Sequence, residues 1–367
     1  MNDEKNKLMN EMHKKDDIKK KDLSIAMRIK NFFVQNGSNS GKSNAFSKEE
    51  IKKILLLGSR SNKMIDFQKL IGDKMQNMDL SHLTLKNINF ENIDLTGSDF
   101  TKSILINISF KNSNLSNVNF YESFISNVRI ENSQLTTVDF KKTAIENTQI
   151  INNTILQTNF SQATMYNVIM GGNELKNSNF SYSEVMDSVI QNNQFEFNNM
   201  QNASFISTKI TNNTLNGNDN SNNTFVDSFA LNNVFNKVNL LSGLVKNSDF
   251  NSNEIKNSYL ENFKIYNSAF YKNNISNSNL NYFQMKNSGG INNLFMTNLI
   301  DNADFSYSVL HNSIFKNSKI LNIKLKNNDF SFSVFAQNTE NLKRELISGE
   351  NIIFNENILN NYPAIAE

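Results

Sequence analysis

From Leu80 onward every fifth residue is large and apolar: Leu80, Leu85, Phe90, Leu95, Phe100, and so on to Phe330 and Phe335, with no insertion or deletion. Of these 52 positions only Asn220, Ala230 and Gly290 depart from the rule. A helix repeats every 3.6 residues and a strand every 2, so neither element alone produces a period of five. One phase held over 256 residues marks an internal structural repeat. Two positions before each apolar centre the residue is usually small (Ser98, Ser103, Ala163, Ser178), and Asp or Asn often stands just before it (Asp94, Asp99, Asn119, Asp139). Two positions after it Asn dominates, as at Asn87, Asn107, Asn127, Asn147 and Asn167. Small and large inward residues two apart follow the alternation of a strand, and Asn tolerates the left-handed backbone of a tight corner. Each quintet therefore predicts a very short strand plus a corner. Turning repeatedly in one sense keeps all the centres inside a square tube.

The quintets "SDFTK" (Ser98–Lys102), "SNFSY" (Ser178–Tyr182) and "ADFSY" (Ala303–Tyr307) resemble the motif of the pentapeptide-repeat proteins: Ala, Asp or Asn, Leu or Phe, a small polar residue, then any residue. The resemblance covers residues 76–337. It implies an all-β solenoid, a right-handed four-sided β-helix of about 13 coils with four quintets, or 20 residues, to each coil. The chain itself tests that coil length, because residues 20 apart should then stack and share character. Asn153, Asn173, Asn193, Asn213, Asn233, Asn253, Asn273 and Asn293 form an unbroken series at the small inward position, and Phe100, Phe120, Phe140, Phe160 and Phe180 form a second at the centre position of another face. A coil one quintet shorter or longer does not explain an eight-fold Asn series confined to one face. Stacked amides can satisfy one another as a ladder, while stacked rings fill apolar volume at offset-stacking distance.

A stack of coils exposes unpaired backbone at both ends and needs caps. Residues 1–75 read as a charged, partly disordered region with helices at 22–35 and 47–57, the second opening with Ser47 and Glu50 in capping-box spacing. A further helix is expected at 64–75, against a first coil in which Met78, Leu83, Ile88 and Ile93 replace the usual small residues. Residues 338–367 supply a helix (Asn338–Ile347) and a tail to cover the other end. Within the rod, the polar stretch "NGNDNSNNTF" around Asn220 predicts the poorest packing, with a kink or bulge. Phe263 and Phe283 intrude at small positions, and Gly290 is expected to return the space.

Chemistry is sparse. The absence of Cys excludes disulfides, thiolate metal sites and thioester intermediates, and His13, His82 and His311 are too scattered for a histidine metal site. Gly37 and Gly41-Lys42-Ser43 are one residue short of a phosphate-binding loop. Recurring Asp and Glu beside the centres read as solvated faces. No cofactor, metal or enzymatic activity is expected. The first twenty residues have no apolar core, so no secretory signal peptide is read there. The expectation is residence in the bacterial cytoplasm, or translocation to a host cell without a cleavable signal.

Three functional classes follow. The first is a protein-interaction rod. Tyr166, Met186, Ile206 and Val226, each just after a centre, form an apolar row on one face that suits a protein partner. The second, DNA mimicry of the gyrase-protecting kind, is implied by the family resemblance, but it requires a strongly acidic rod. Residues 76–337 carry 18 Lys/Arg against 20 Asp/Glu. Nucleic-acid binding is likewise disfavoured, although the basic amino-terminal segment, with 17 Lys/Arg against 10 Asp/Glu, suits peripheral contact with an anionic membrane. The third class is the translocated bacterial effector. This layout of non-repeat amino terminus, repeat body and short tail resembles effectors whose Leu-Phe-Asn-Glu-Phe tail segment recruits a host motor adaptor. Here the tail reads Ile353, Phe354, Asn355, Glu356 and then Asn357, which matches three of the five positions. Related ubiquitin-ligase effectors need a catalytic Cys that this chain lacks. The oligomeric state is open, an end-to-end dimer included.

Overall fold

The computed structural model describes residues 46–60, 65–66, 68, 75–324, 327–330 and 333–336. Every fifth residue from Asn77 to Asn327 has a positive φ, between 46° and 71°. A left-handed residue costs most side chains on the order of 1–2 kcal/mol, and Asn and Gly least. That penalty accounts for the dominance of Asn two positions after each centre. Between corners the chain makes short strands whose middle residue is the buried centre, as in Thr154–Leu156, Glu174–Lys176 and Gln194–Glu196. These strands pair in parallel with their equivalents four quintets away, as in Leu175↔Ile155 and Leu175↔Phe195. The chain thus closes one four-sided turn with every fourth quintet and forms a β-solenoid.

Each face carries 13 rungs between Asp79 and Val334, and the 12 steps between them give about 12 turns, on the order of 60 Å. The faces are numbered by their leading centres: Leu80 on the first, Leu85 on the second, Phe90 on the third and Leu95 on the fourth. The first face differs from the others. Its rungs meet mainly through single bridges such as Asp99↔Asn119 and Asn119↔Asp139. There the Asp or Asn before the centre turns its side chain onto its own backbone: Asp99 Oδ1 accepts from Thr101 N at 2.8 Å, and Asn179 Oδ1 from Ser181 N at 3.0 Å. Such local bonds favour a turn over a continuous strand.

The centres form one axial core, and every described centre up to Phe330 is buried. On the first face Phe100, Phe120, Phe140, Phe160 and Phe180 stack with centroid separations of 5.1, 4.8, 4.8 and 4.6 Å. On the fourth face the Asn series is a hydrogen-bonded column. Asn193 Nδ2 donates to Asn213 Oδ1 at 3.0 Å and to Met170 O at 2.9 Å, while Asn193 N donates to the same Asn213 Oδ1 at 2.9 Å. The same side-chain bond joins each consecutive pair from Asn153 to Asn293. Each amide is therefore held on both sides, which is the condition for burying it.

The amino-terminal end is covered by α1 (Lys48–Gly58), whose capping box between Ser47 and Glu50 is complete. Ile51, Ile54 and Leu55 of this helix join the core beside Met75, Met78, Ile88 and Ile93. Lys48 Nζ donates to Asn77 O at 2.8 Å and Ser59 Oγ accepts from Lys86 N at 3.1 Å, so exposed rung backbone is also met by polar groups. Of the helix expected over 64–75, residues 64, 67 and 69–74 lie outside the described residues, Gln68 is helical, and the departure is at Ile65–Asp66. They are a strand, β1, which pairs in parallel with Ile88 and Asn89 of β2 (Thr84–Glu91) and extends the third face by one rung. Sheet pairing satisfies the open edge of the first coil more fully than a helix laid across it. The segments 22–35 and 338–367 lie outside the described residues.

Two further expectations are corrected. The Asn220 turn has neither kink nor bulge, because its bridges to Asn199 and Asn239 and its strands Thr214–Asn216 and Thr224–Val226 stay in phase. The defect is a void in the core instead. Gly290 also does not serve Phe283: a Cβ there would meet Leu310 and Met285. Gly243 is the residue that admits an intruding ring, since a Cβ at 243 would lie 2.8 Å from the Phe263 ring one rung on.

Candidate functional site

Outward side chains stand just before and just after each centre, so the flat outer faces display rows of residues at strand spacing. On the second face the strands Thr164–Tyr166, Glu184–Met186, Ser204–Ile206 and Thr224–Val226 are consecutive neighbours. Their pairing sets Tyr166 against Met186, Met186 against Ile206 and Ile206 against Val226. Tyr166 is 45% exposed, and the other three are half-buried by one another. Polar groups flank the row: Thr224 Oγ1 donates to Ser204 Oγ at 3.0 Å, and the next rung replaces Val226 with Lys246. Around the corner, Ile169, Val189 and Phe229 on the third face are also half-buried and apolar. The exposed Lys209 stands between Val189 and Phe229, so the unbroken apolar row is that of the second face.

The structure adds residues that the row pattern did not single out. Tyr182, Phe197, Tyr282 and Tyr307 occupy left-handed corners, with φ between 53° and 61°, and are 48–61% exposed. An aromatic side chain is strained there and buries little, so its presence points to contact rather than stability. Tyr182 leads directly into the Met186 strand. Phe197 lies over Gly217, where a Cβ would approach its ring to 2.5 Å. The signal was legible in principle: an aromatic in the slot that Asn fills elsewhere. On the fourth face a groove of about 560 Å³ runs between Leu156 and Lys256, lined by Lys176, Glu196, Asn216 and Asn236.

Charges on the rod pair from rung to rung. Lys176 meets Glu196 at 3.1 Å, and Glu122 lies between Lys102 at 3.6 Å and Lys142 at 3.5 Å. A hydrogen bond from Tyr121, followed by those two ammonium groups, holds the Glu122 carboxyl below its ordinary range. Burial pushes Asp304 up, but Lys286 at 2.8 Å and the Ser306 hydrogen bonds outweigh it and leave the carboxyl below its usual value. These pairs tie part of the charge together, and residues 76–337 as a whole carry 18 Lys/Arg against 20 Asp/Glu. Among the described residues no group of three or more His, Asp or Glu is placed to hold a metal ion, and no helix is long and apolar enough to cross a membrane. The tail residues Ile353, Phe354, Asn355 and Glu356 lie outside the described residues.

Comparison with known proteins follows the architecture. A family model for pentapeptide repeats matches in eight copies, including residues 75–112 and 93–132. The chain belongs to the pentapeptide-repeat family, as its four-sided turn of four quintets requires. Similar solved structures include QnrB1, a plasmid-mediated fluoroquinolone resistance protein, at 12% identity over 50% of this chain and 85% of that one, with a TM-score of 0.32. HetL, a pentapeptide-repeat protein involved in heterocyst differentiation regulation from the cyanobacterium Nostoc sp. strain PCC 7120, matches at 12% identity over 76% of this chain and 93% of that one, with a TM-score of 0.19. A mannuronic-acid-specific polysaccharide lyase of family 6 from human gut microbiota matches at 10% identity over 79% and 86%, with a TM-score of 0.35. At these identities and TM-scores the three carry no argument about what this chain does. A search of curated proteins finds no match.

Proposed function

We propose that the chain is a non-enzymatic interaction rod that docks a protein partner on the outer second face, centred on Met186 and Ile206. The observation that carries this reading is the unbroken apolar row Tyr166, Met186, Ile206, Val226 on four paired rungs, flanked by the exposed Tyr182. Apolar and aromatic side chains grouped on a rigid surface are the usual core of a protein contact, with a polar rim around them. The near balance of 18 Lys/Arg against 20 Asp/Glu over residues 76–337 argues against an imitation of the DNA backbone, which needs a strong excess of negative charge. The proposal extends to a bacterial chain that acts in its own cytoplasm or is delivered to a host cell, with Ile353–Glu356 as a second contact.

The test uses the full chain with a photo-crosslinking residue at Ile206 or, on the opposite side of the rod, at Glu174. The expected result is a discrete crosslinked product from position 206 alone, lost when Met186→Asp is added although the far-UV spectrum is unchanged. The same products from both positions would defeat the second-face reading. Stoichiometric inhibition of gyrase supercoiling by the purified chain would favour mimicry instead.

A further inference from the structure

Between Met165 and Phe235 the core holds a cavity of about 40 Å³. Its origin is a local shortage of side-chain volume. The ring series of the first face gives way after Phe180 to Met200 and Asn220, and the third-face centre at 230 is Ala, whereas the other centres from Leu175 to Val245 are Phe, Leu, Ile or Val. Bridges and strands hold the backbone of this segment in phase, so the coil does not contract to recover close packing. Ile190, Phe205 and Ile210 accordingly keep 7–8% accessible surface, against 1% at Ile145 and Ile150 two turns earlier.

What fills such a space is decided by the unmet polar groups of its wall, since a buried water needs about two to four partners and an apolar cavity stays dry. Three polar residues reach the wall: Ser183, Ser188 and Asn220. Ser183 Oγ donates to Phe180 O at 2.7 Å, and Ser188 Oγ donates to Met186 O at 2.6 Å and accepts from Val168 N at 2.9 Å. Asn220 Nδ2 donates to Met200 Sδ at 3.3 Å, which leaves Asn220 Oδ1 as the one side-chain N or O of the wall without a partner among the described residues. A single unmet acceptor falls short of what a buried water needs. We propose that the cavity is a dry internal binding site for one small apolar atom or gas molecule, with xenon as its probe. The remaining walls suit such a guest: Phe205 and Phe225 present rings, Met165 and Met170 present polarisable thioethers, and a guest restores the dispersion contacts that an empty space forfeits. Apolar cavities of roughly 150 Å³ admit benzene or xenon; the present space of about 40 Å³ is too small for the ring and suits the single atom.

The test places the full chain under xenon pressure, in a crystal and in solution. The expected result in the crystal is one xenon atom within the lining between Met165 and Phe235, and no ordered water there before pressurisation. In solution the methyl resonances of Ile190, Ile210 and Leu215, which line the space, should shift saturably with xenon pressure while those of the sealed Ile145 and Ile150 stay in place. These wild-type shifts need no variant. Ala230→Leu supplies missing volume, so it should abolish the shifts and raise the denaturation midpoint. Ordered water in the unpressurised cavity would overturn the proposal. So would shifts of equal size at Ile145 and Ile150, or none at the three lining residues.

Discussion

The turns holding Phe100 to Phe160 and those holding Phe180 to Phe235 share one backbone and one corner geometry, but their interiors differ. In the first region the Phe centres are sealed at 0% exposure, and in the second Ile190 reaches 8% and Phe205 7% around a cavity. The cause lies in three positions. The ring stack on the first face ends at Phe180, continues with Met200 and Asn220, and coincides with Ala230 on the third face. What does not change is the hydrogen-bonded small position of the fourth face, where Ser113 N donates to Ser133 Oγ and Ser133 N to Asn153 Oδ1, and the Asn column then carries on from Asn153 to Asn293. The comparison separates two roles. Hydrogen-bonded columns and left-handed corners set the path of the chain, while the apolar filling sets how tightly each turn is closed. The apolar outer row lies over the looser segment.

The most severe challenge to this division removes one ring from each region. Phe140→Ala should cost about 3–5 kcal/mol, the usual loss for a tightly packed Phe. Phe225→Ala should cost distinctly less, because its ring already borders free volume. Denaturant titration of the two variants reads the difference, and equal losses would erase the distinction. Next in size is the column. Asn213→Ala removes the acceptor of both Asn193 N and Asn193 Nδ2. About 1–3 kcal/mol per orphaned buried group is expected, together with faster hydrogen exchange at the Asn193 amide and no change at Phe100. A protected Asn193 amide in this variant would show that the column is passive. The smallest effect is acid sensitivity at the far end. The folded Asp304 carboxyl titrates below its unfolded value, so its stabilising contribution is present above the unfolded pKa and is lost as pH falls through the folded one. Asp304→Asn should flatten that acid limb by less than about 1 kcal/mol, since the pair with Lys286 lies near the surface.

The repeat, its period and its corners were legible because each rests on a local rule repeated many times: apolar at the centre, small or Asn two before, Asn two after. The eight-fold Asn series exposed the length of the turn without any structure. The features that escaped are single events in which two distant side chains compensate each other. Gly243 admits Phe263 from the next turn, and no local rule connects them. Asn220 suggested a disturbed backbone, but with strands on three faces held by neighbours above and below, the cost fell on the core. Ile65–Asp66 sit in a helix-like stretch of sequence and pair as a strand because an open sheet edge was within reach. The aromatic corners were visible as residues, yet their exposure became apparent only once the corner geometry was fixed.

The central claim is the turn of four quintets, and the absence of Cys makes it directly testable by crosslinking. Ser207 and Asp227 are exposed corners on adjacent rungs, four quintets apart, and Asn222 is an exposed corner only three quintets on from Ser207. Paired strands lie about 4.8 Å apart, within the Cα separation that a disulfide spans. Under mild oxidation a chain carrying Ser207→Cys with Asp227→Cys should close a disulfide rapidly, and one carrying Ser207→Cys with Asn222→Cys should not. Faster closure of the three-quintet pair would contradict the four-sided turn.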